Sequence, residues 1–254
     1  MIFYFSGTGN SLYVAQELAK ALGDGPVTAM TQYDTAQMIQ AERVGLVFPT
    51  YYWGLPNLVK TFIANLRVSE SAYLFVGYTY GGYSGVTPHM AQKLFKERGY
   101  KLQAAFGFQL PQNFILSNFR VPDEETQTRQ FAKADARFPE IARIILGQGR
   151  YFEREPLRFR PFHFVGYRLN ASEGAKIPAK DHNFIVSDSC HSCGVCAKGC
   201  PVQNIVLNAG KPSYRHHCEF CLNCLHSCPK DAIDYTAETH GRKRYRNPKR
   251  PQTP

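Results

Sequence analysis

Ile2-Phe3-Tyr4-Phe5-Ser6-Gly7-Thr8-Gly9-Asn10-Ser11-Leu12 opens on apolar residues, passes through a turn of small and hydroxyl-bearing ones, and enters a stretch with helical spacing. A short apolar run bounded by glycine reads as a strand over 2–5, and the recurrence of Leu12, Ala15, Leu18 and Leu22 reads as the inward stripe of a helix over 10–22. The same alternation continues along the first half of the chain. Further strands are expected over 44–48, 73–78 and 102–108, and further helices over 57–66 and 88–98. Strands alternating with helices predict an α/β fold, a doubly wound parallel sheet with helices on both faces. Residues 123–146, with acids at the start and Gly147 at the end, are expected to form one long closing helix.

The turn after the first strand suits a phosphate. Backbone N–H groups at a helix N-terminus, with the hydroxyls of Ser6, Thr8 and Ser11 and the small residues Gly7, Gly9 and Asn10, can surround an anion without a lysine. The turn lacks the Gly-Lys-Ser/Thr ending of a nucleotide P-loop and the Gly-x-Gly-x-x-Gly of a dinucleotide site. Alone, it also fits a plain strand-to-helix turn capped by Ser or Thr. Two more loops bear on the choice. Pro49-Thr50-Tyr51-Tyr52-Trp53-Gly54-Leu55 and Thr79-Tyr80-Gly81-Gly82-Tyr83-Ser84-Gly85 both follow strands, at the sheet edge where open α/β folds hold ligands. The aromatic loop, with the single tryptophan of the chain, can stack on a flat ring, and the glycine-rich loop lets backbone approach a polar edge. The plainer alternative is that these aromatics only pack the end of the sheet.

All eight cysteines lie between 190 and 228. They form Cys190-x2-Cys193-x2-Cys196-x3-Cys200-Pro201 and then Cys218-x2-Cys221-x2-Cys224-x3-Cys228-Pro229. This is the bacterial two-cluster run, in which the fourth cysteine of each run ligates the other cluster. Cys190, Cys193, Cys196 and Cys228 are expected to hold one [4Fe-4S] cluster, and Cys218, Cys221, Cys224 and Cys200 the second. Zinc ribbons use separated Cys-x2-Cys pairs, and disulfides belong to oxidising compartments, so both alternatives fit the spacing less well. Asn204-Ile205-Val206 and Asp231-Ala232-Ile233 follow the two Cys-Pro pairs at similar offsets, as an internal duplication would place them. His191, His216, His217 and His226, lying among eight thiols, are expected to be exposed or to support the ligands.

The formal charge of +10 is uneven, because the last fourteen residues carry six Lys or Arg and no acid. Two clusters and a flavin phosphate would bring the loaded protein to about +4, so the basic balance does not require nucleic acid. The Arg- and aromatic-rich stretch around Tyr151-Phe152-Glu153-Arg154 and Phe159-Arg160-Pro161-Phe162 is read as a connector, with no nucleic-acid motif beside it. No run is long and apolar enough for a membrane span, and the start of the chain does not read as a secretory signal, which predicts a cytoplasmic protein.

The Ser-x-Thr-Gly-Asn-Ser, Pro-Thr-Tyr-Tyr-Trp-Gly and Thr-x-Gly-Gly loops resemble those of flavodoxins. With the double cysteine run, the chain resembles flavodoxin-ferredoxin fusion proteins of anaerobic prokaryotes over most of residues 1–240. The resemblance implies that residues 6–11 hold FMN phosphate, that 51–55 and 79–85 hold the ring, and that Asn113 approaches it. It implies a flavodoxin-like domain over 1–149, a connector over 150–180, a smaller α+β ferredoxin-like domain over 181–240, and a basic tail over 241–254 expected to be disordered. The expected function is electron transfer between two [4Fe-4S] clusters and FMN, with redox protein partners unidentified. The alternative is a flavoenzyme reducing a quinone, oxygen or a nitro compound as small electron acceptor. A third, non-redox reading is a regulatory or nucleic-acid module whose clusters are structural or sensory. Neither ring loop contains Asp or Glu, which predicts a less negative flavin couple than an acid-rich carrier has, with the flavin downhill from the clusters.

Overall fold

The computed structural model describes residues 1–153 and 162–249. Much of the Arg- and aromatic-rich connector stretch, and the tail beyond 249, lie outside the described residues.

Six strands form one parallel sheet in the order β2-β1-β3-β4-β5-β6: β1 Ile2–Tyr4, β2 Thr28–Ala29, β3 Arg43–Pro49, β4 Tyr73–Tyr80, β5 Leu102–Gln109 and β6 Tyr151–Phe152. The first five follow the flavodoxin-like order, in which the chain leaves β1 to one side and returns on the other for β3. That reversal opens a crevice at the C-terminal ends of β1 and β3.

Alternation along the strands sorts the core into two layers. Leu46, Phe48, Leu74, Val76 and Tyr78 face α2 (Asn57–Asn65) and α3 (Thr87–Glu97), while Val47, Phe75, Phe106 and Phe108 face α1 (Asn10–Leu22) and α5 (Phe138–Leu146). Each fully buried Phe contributes about 1.5–3 kcal/mol relative to exposure. On α1 the buried stripe is Ser11, Val14, Ala15, Leu18, Ala19 and Leu22, whereas Leu12 is only half-buried.

The expected long closing helix is two helices, α4 (Glu124–Asp135) and α5. Pro139 stands in the first turn of α5, where it has no N–H to offer the carbonyl four residues back and its ring crowds that carbonyl. Asp123 caps α4 by accepting from the Thr126 N–H at 2.7 Å. The short strands β2 and β6, at the two edges of the sheet, were not legible in the hydrophobic pattern.

The connector region contains α6 (His163–Lys176) and a 3₁₀ turn over Pro178–Asn183. The C-terminal unit that follows pairs β7 (Phe184–Val186) antiparallel with β10 (Ile233–Tyr235), and β8 (Ile205–Asn208) with β9 (Lys211–Tyr214). Two short helices, α7 (Val195–Lys198) and α8 (Asn223–Ser227), lie inside the cysteine runs, and Asn223 Nδ2 donates to the Gly199 carbonyl at 2.6 Å between them. A third core joins Ile177, Ile205, Phe220, Leu225 and Ile233 to Ile115 and Leu116 of the loop after β5.

The tail departs from the sequence expectation of disorder as far as residue 249. Tyr245 and Asn247 are each 3% exposed and hydrogen-bonded to the start of α1. A Tyr and an Asn among the charged residues supply the packing and directional bonds that charge composition alone conceals.

Candidate functional site

A cleft of about 370 Å³ opens at the crevice between β1 and β3. Ser6, Gly7, Thr8, Asn10 and Ser11 form its floor, Pro49, Thr50, Tyr51, Tyr52 and Trp53 one wall, and Thr79 through Tyr83 another. Asn113 also lines it, with Pro111, Gln112 and Phe114. Gly9, Gly54, Leu55 and Gly85 stand behind the lining rather than in it. Leu55 is in the core, and Gly85, at φ +57°, lies where a Cβ would come within 2.2 Å of Trp53 Cβ.

The floor presents the start of α1. Gly9, at φ 105°, is its N-cap, no side chain caps it, and no acid stands in the first turn. The first N–H groups of a helix have no partner within it, and they favour an anion. Ser6 Oγ accepts from the Gly9 N–H at 3.2 Å, and Ser11 Oγ pairs with Thr79 Oγ1 at 2.9 Å, so the floor is tied to the end of β4. Asn10 and Asn113 serve chiefly as ties. Asn10 Nδ2 donates to the Pro111 carbonyl at 3.0 Å, and Asn113 Nδ2 donates to Thr8 Oγ1 at 2.6 Å.

The aromatic wall is a tight turn. Tyr51 and Gly54 exchange two backbone bonds at 2.9 Å, and Tyr52 and Trp53 between them sit at φ 46° and 59°. Two bulky residues in the left-handed region are strained and persist only where the surroundings hold them. Asn170 of α6 does so, donating from Nδ2 to the Tyr51 carbonyl at 2.7 Å and the Leu55 carbonyl at 3.1 Å. The Val86 N–H adds a bond to the Trp53 carbonyl at 2.7 Å. Trp53 meets Tyr83 edge-on and stays 36% exposed, leaving its ring at the mouth of the cleft. No acidic or basic side chain lines the cleft among the described residues.

The cysteines gather into two cavities. One is lined by Cys190, Cys193, Cys196 and Cys228, the other by Cys200, Cys218, Cys221 and Cys224, so each takes three thiols from one run and one from the other. None of the eight is in a disulfide. Around both cavities the backbone repeats itself. Ser192 and Phe220 precede the second cysteine of each run at φ 61° and 50°, Gly194 and Leu222 follow it at 74° and 58°, and Gln203 and Asp231 come three residues after the fourth at 52° and 45°. Left-handed residues in such loops turn N–H groups inward and make concavities for anions. The Asn204 N–H reaches Cys200 Sγ at 3.2 Å and the Ala232 N–H reaches Cys228 Sγ at 3.2 Å, again at matching offsets, and Phe220 N–H reaches Cys218 Sγ at 3.1 Å. Burial pushes the Cys218 thiol up to about 12 and raises those of Cys196, Cys221 and Cys224. Dry thiols stay protonated unless a cation displaces their protons. Four convergent sulfurs with inward N–H groups therefore fit a thiolate-ligated, net-anionic iron–sulfur group.

The histidines among the cysteines hold the frame. His216 Nδ1 lies 2.7 Å from Asp181 Oδ1, while Asp181 Oδ2 accepts from Asn204 Nδ2 at 2.8 Å. His217 Nε2 bonds the Val202 carbonyl at 3.0 Å, and His191 is exposed. His226, buried in α8, bonds the Asn113 carbonyl through Nε2 at 2.7 Å, and burial pushes its imidazole down to about 4.

The second cavity and the cleft share a wall. Phe220, Cys221 and Leu222 line the cleft, and Cys221 and Leu222 also line the cavity. Gly7 sits so close that an added Cβ would lie 2.5 Å from the Cys221 carbonyl oxygen. The first cavity lies toward solvent, where Cys193 and His191 are exposed. Sequence reading missed Phe119 and Leu169 as well as this wall: Leu169 and the Cys221 loop lie far along the chain from the strand-end loops, and Phe119, although in the loop after β5, stands outside the stretch around Asn113 that the motif reading singled out.

Residues 1–109 match a family model for a flavodoxin domain, and the match ends before the first cysteine. Among solved structures, the chain is similar to a flavodoxin from the domain Archaea, with 14% identity over 56% of this chain and 96% of that one at a TM-score of 0.35. A flavodoxin of Streptococcus pneumoniae TIGR4 matches with 20% identity over 53% and 95%, at a TM-score of 0.36. An FMN-dependent NADH-azoreductase of Bacillus anthracis matches with 10% identity over 57% and 97%, at a TM-score of 0.40. No curated protein matches the chain. The N-terminal part is thus a flavodoxin-like domain, and no helix among the described residues is long and apolar enough to cross a membrane.

Proposed function

We propose that this chain is an electron-transfer protein that holds FMN in the cleft and a [4Fe-4S] cluster in each cysteine cavity, and passes electrons between them. The observation that carries the reading is the shared wall: the loop bearing Cys221 lines both the second cavity and the cleft, against Gly7 of the phosphate-suited turn. When bound, the clusters supply one-electron steps and the flavin one- or two-electron steps, so the assembly joins carriers of the two kinds. The flavodoxin-domain match supports the flavin assignment.

Residues 6–11 would hold the phosphate through the amides and hydroxyls at the start of α1, while Tyr52 and Trp53 flank the ring and residues 79–83 face its polar edge. Cys190, Cys193, Cys196 and Cys228 would hold the solvent-facing cluster, and Cys200, Cys218, Cys221 and Cys224 the one behind the cleft. Exposed Cys193 and His191 make the first cavity the face at which a protein donor approaches. Buried thiols and N–H bonds to sulfur set the environment of the ligands, and no side chain is needed as an acid or nucleophile.

A second reading is favoured by the apolar lining of the cleft at Phe119 and Leu169, against which a small flat acceptor would lie beside the ring. Anaerobic purification with iron, sulfide and flavin counted, followed by stepwise reduction, tests the main reading. About eight iron, eight sulfide and one FMN per chain, with flavin reduced through the clusters, is the expected result. Zinc in place of iron, or full clusters with no flavin bound, overturns it. Turnover of a quinone or nitro compound faster than by free FMN would favour the second reading.

A further inference from the structure

The C-terminal segment crosses from the cysteine unit to the turn that begins α1, and it does so through buried polar groups. Tyr245 Oη donates to Asn10 Oδ1 at 2.6 Å, Asn247 Nδ2 donates to the same oxygen at 3.1 Å, and the Asn247 N–H donates to the Thr8 carbonyl at 2.9 Å. Thr8 and Asn10 are 1% and 8% exposed, so these bonds have little competition from water. The other end is anchored in the C-terminal unit. The Tyr245 N–H donates to His226 Nδ1 at 3.2 Å, and Arg244 Nη2 reaches Asp234 Oδ1 at 2.7 Å and the Ile233 carbonyl at 3.2 Å. His226 lies between Cys224 and Cys228, and its other nitrogen holds the loop at Asn113, which in turn holds Thr8.

The turn needs such help. No side chain caps α1, and Gly9 at φ 105° leaves the turn without backbone stiffness of its own. An anion site made of backbone N–H groups works only if those groups converge, and here the ties to Thr79, Pro111 and Asn113 within the flavodoxin-like domain are joined by a second set from outside it, on Thr8 and Asn10. We infer that residues 242–249 are a brace that holds Thr8 and Asn10 in the phosphate-binding arrangement, so that affinity for the phosphate end of a flavin depends on the C-terminus. The inference rests on the flavin assignment proposed above. Tyr245 and Asn247 are positioning residues: they reach the turn through Asn10 and Thr8 and do not line the cleft.

The test compares FMN with riboflavin, which shares the ring and lacks the phosphate. Both are titrated by flavin fluorescence against the full chain, a chain ending at Gly241, and the full-length double variant Tyr245→Phe/Asn247→Ala, with iron counted in each. The brace predicts that FMN affinity falls roughly tenfold or more in both variants, the loss expected from one or two buried hydrogen bonds, while riboflavin affinity and iron content hold. Unchanged FMN affinity would overturn the brace alone. Equal losses for FMN and riboflavin, or loss of iron along with FMN in the double variant, would also overturn it, because the segment would then support the cleft or the fold at large. A full chain that binds neither flavin would remove the flavin assignment and the brace together.

Discussion

At the scale of single residues, the crossed grouping of the thiols makes a sharp prediction. Cys228 lines the first cavity and Cys200 the second, although each belongs to the opposite run. If the cavities hold the proposed clusters, Cys228→Ser should remove the solvent-facing one and Cys200→Ser the one behind the cleft, each leaving roughly four of eight iron atoms. Only Cys200→Ser should slow flavin reduction within the molecule when a small reductant is supplied directly, and iron analysis with stopped-flow absorbance reads both outcomes. Gly7 gives a second. A methyl there would lie 2.5 Å from the Cys221 carbonyl oxygen, so Gly7→Ala must push the cysteine loop away from the cleft. It should keep its iron and reduce bound flavin at least tenfold more slowly, and equal rates would contradict the shared wall. The spacing of the cysteines carries the same crossed grouping that the two cavities show. The role of Gly7 was not legible in the sequence, since its partner lies more than two hundred residues along the chain and leaves no local pattern.

Among the elements, the strands and helices that build the ligand-bearing sheet edge follow hydrophobic period, and β3, β4, β5, α1, α2 and α3 lie within two residues of their expected bounds. The closing helix broke at a signal present in the sequence, Pro139, that was outweighed by the continuity of helix-forming residues around it. The use of α6 was hidden for a different reason: Asn170 is 2% exposed and serves a loop more than a hundred residues earlier. Asn170→Ala should free the Tyr51 and Leu55 carbonyls, cost about 1–3 kcal/mol, and relax the strained Tyr52-Trp53 turn. Thermal melting and the fluorescence of Trp53, the sole tryptophan, measure the two effects separately. Where the C-terminal segment meets β10, acid should have a defined effect. Burial raises the Asp234 carboxyl, but hydrogen bonds from Arg244, Thr239 and His240 outweigh it and hold the group below the ordinary 3.8. A depressed carboxyl contributes stability above its unfolded value that is lost as pH falls through its folded one. The gap in melting temperature between the native chain and Asp234→Asn should therefore be open at neutral pH and close below about pH 3.8, as read by far-UV circular dichroism.

For the whole molecule, the two parts differ in what holds them. The sheet has two apolar layers of its own, whereas the core of the C-terminal unit is built partly of thiols and short elements. Chelating the proposed clusters should strip hydrogen-exchange protection from residues 184–240 while β3, β4 and β5 stay protected. Uniform protection after full removal of iron would show that the unit stands without metal. The arrangement of these two parts was beyond sequence reading, since periodicity reports which face of an element is buried and not which distant element covers it. The duplicated backbone around the cavities carries one further consequence. At matching left-handed positions, the solvent-side copy has Gly194 and the cleft-side copy has Leu222, whose side chain lines the cleft. Glycine would be the relaxed choice at both. The two halves thus answer unequal demands, one using the relaxed residue and the other holding a contorted leucine that is also part of the cleft's surface.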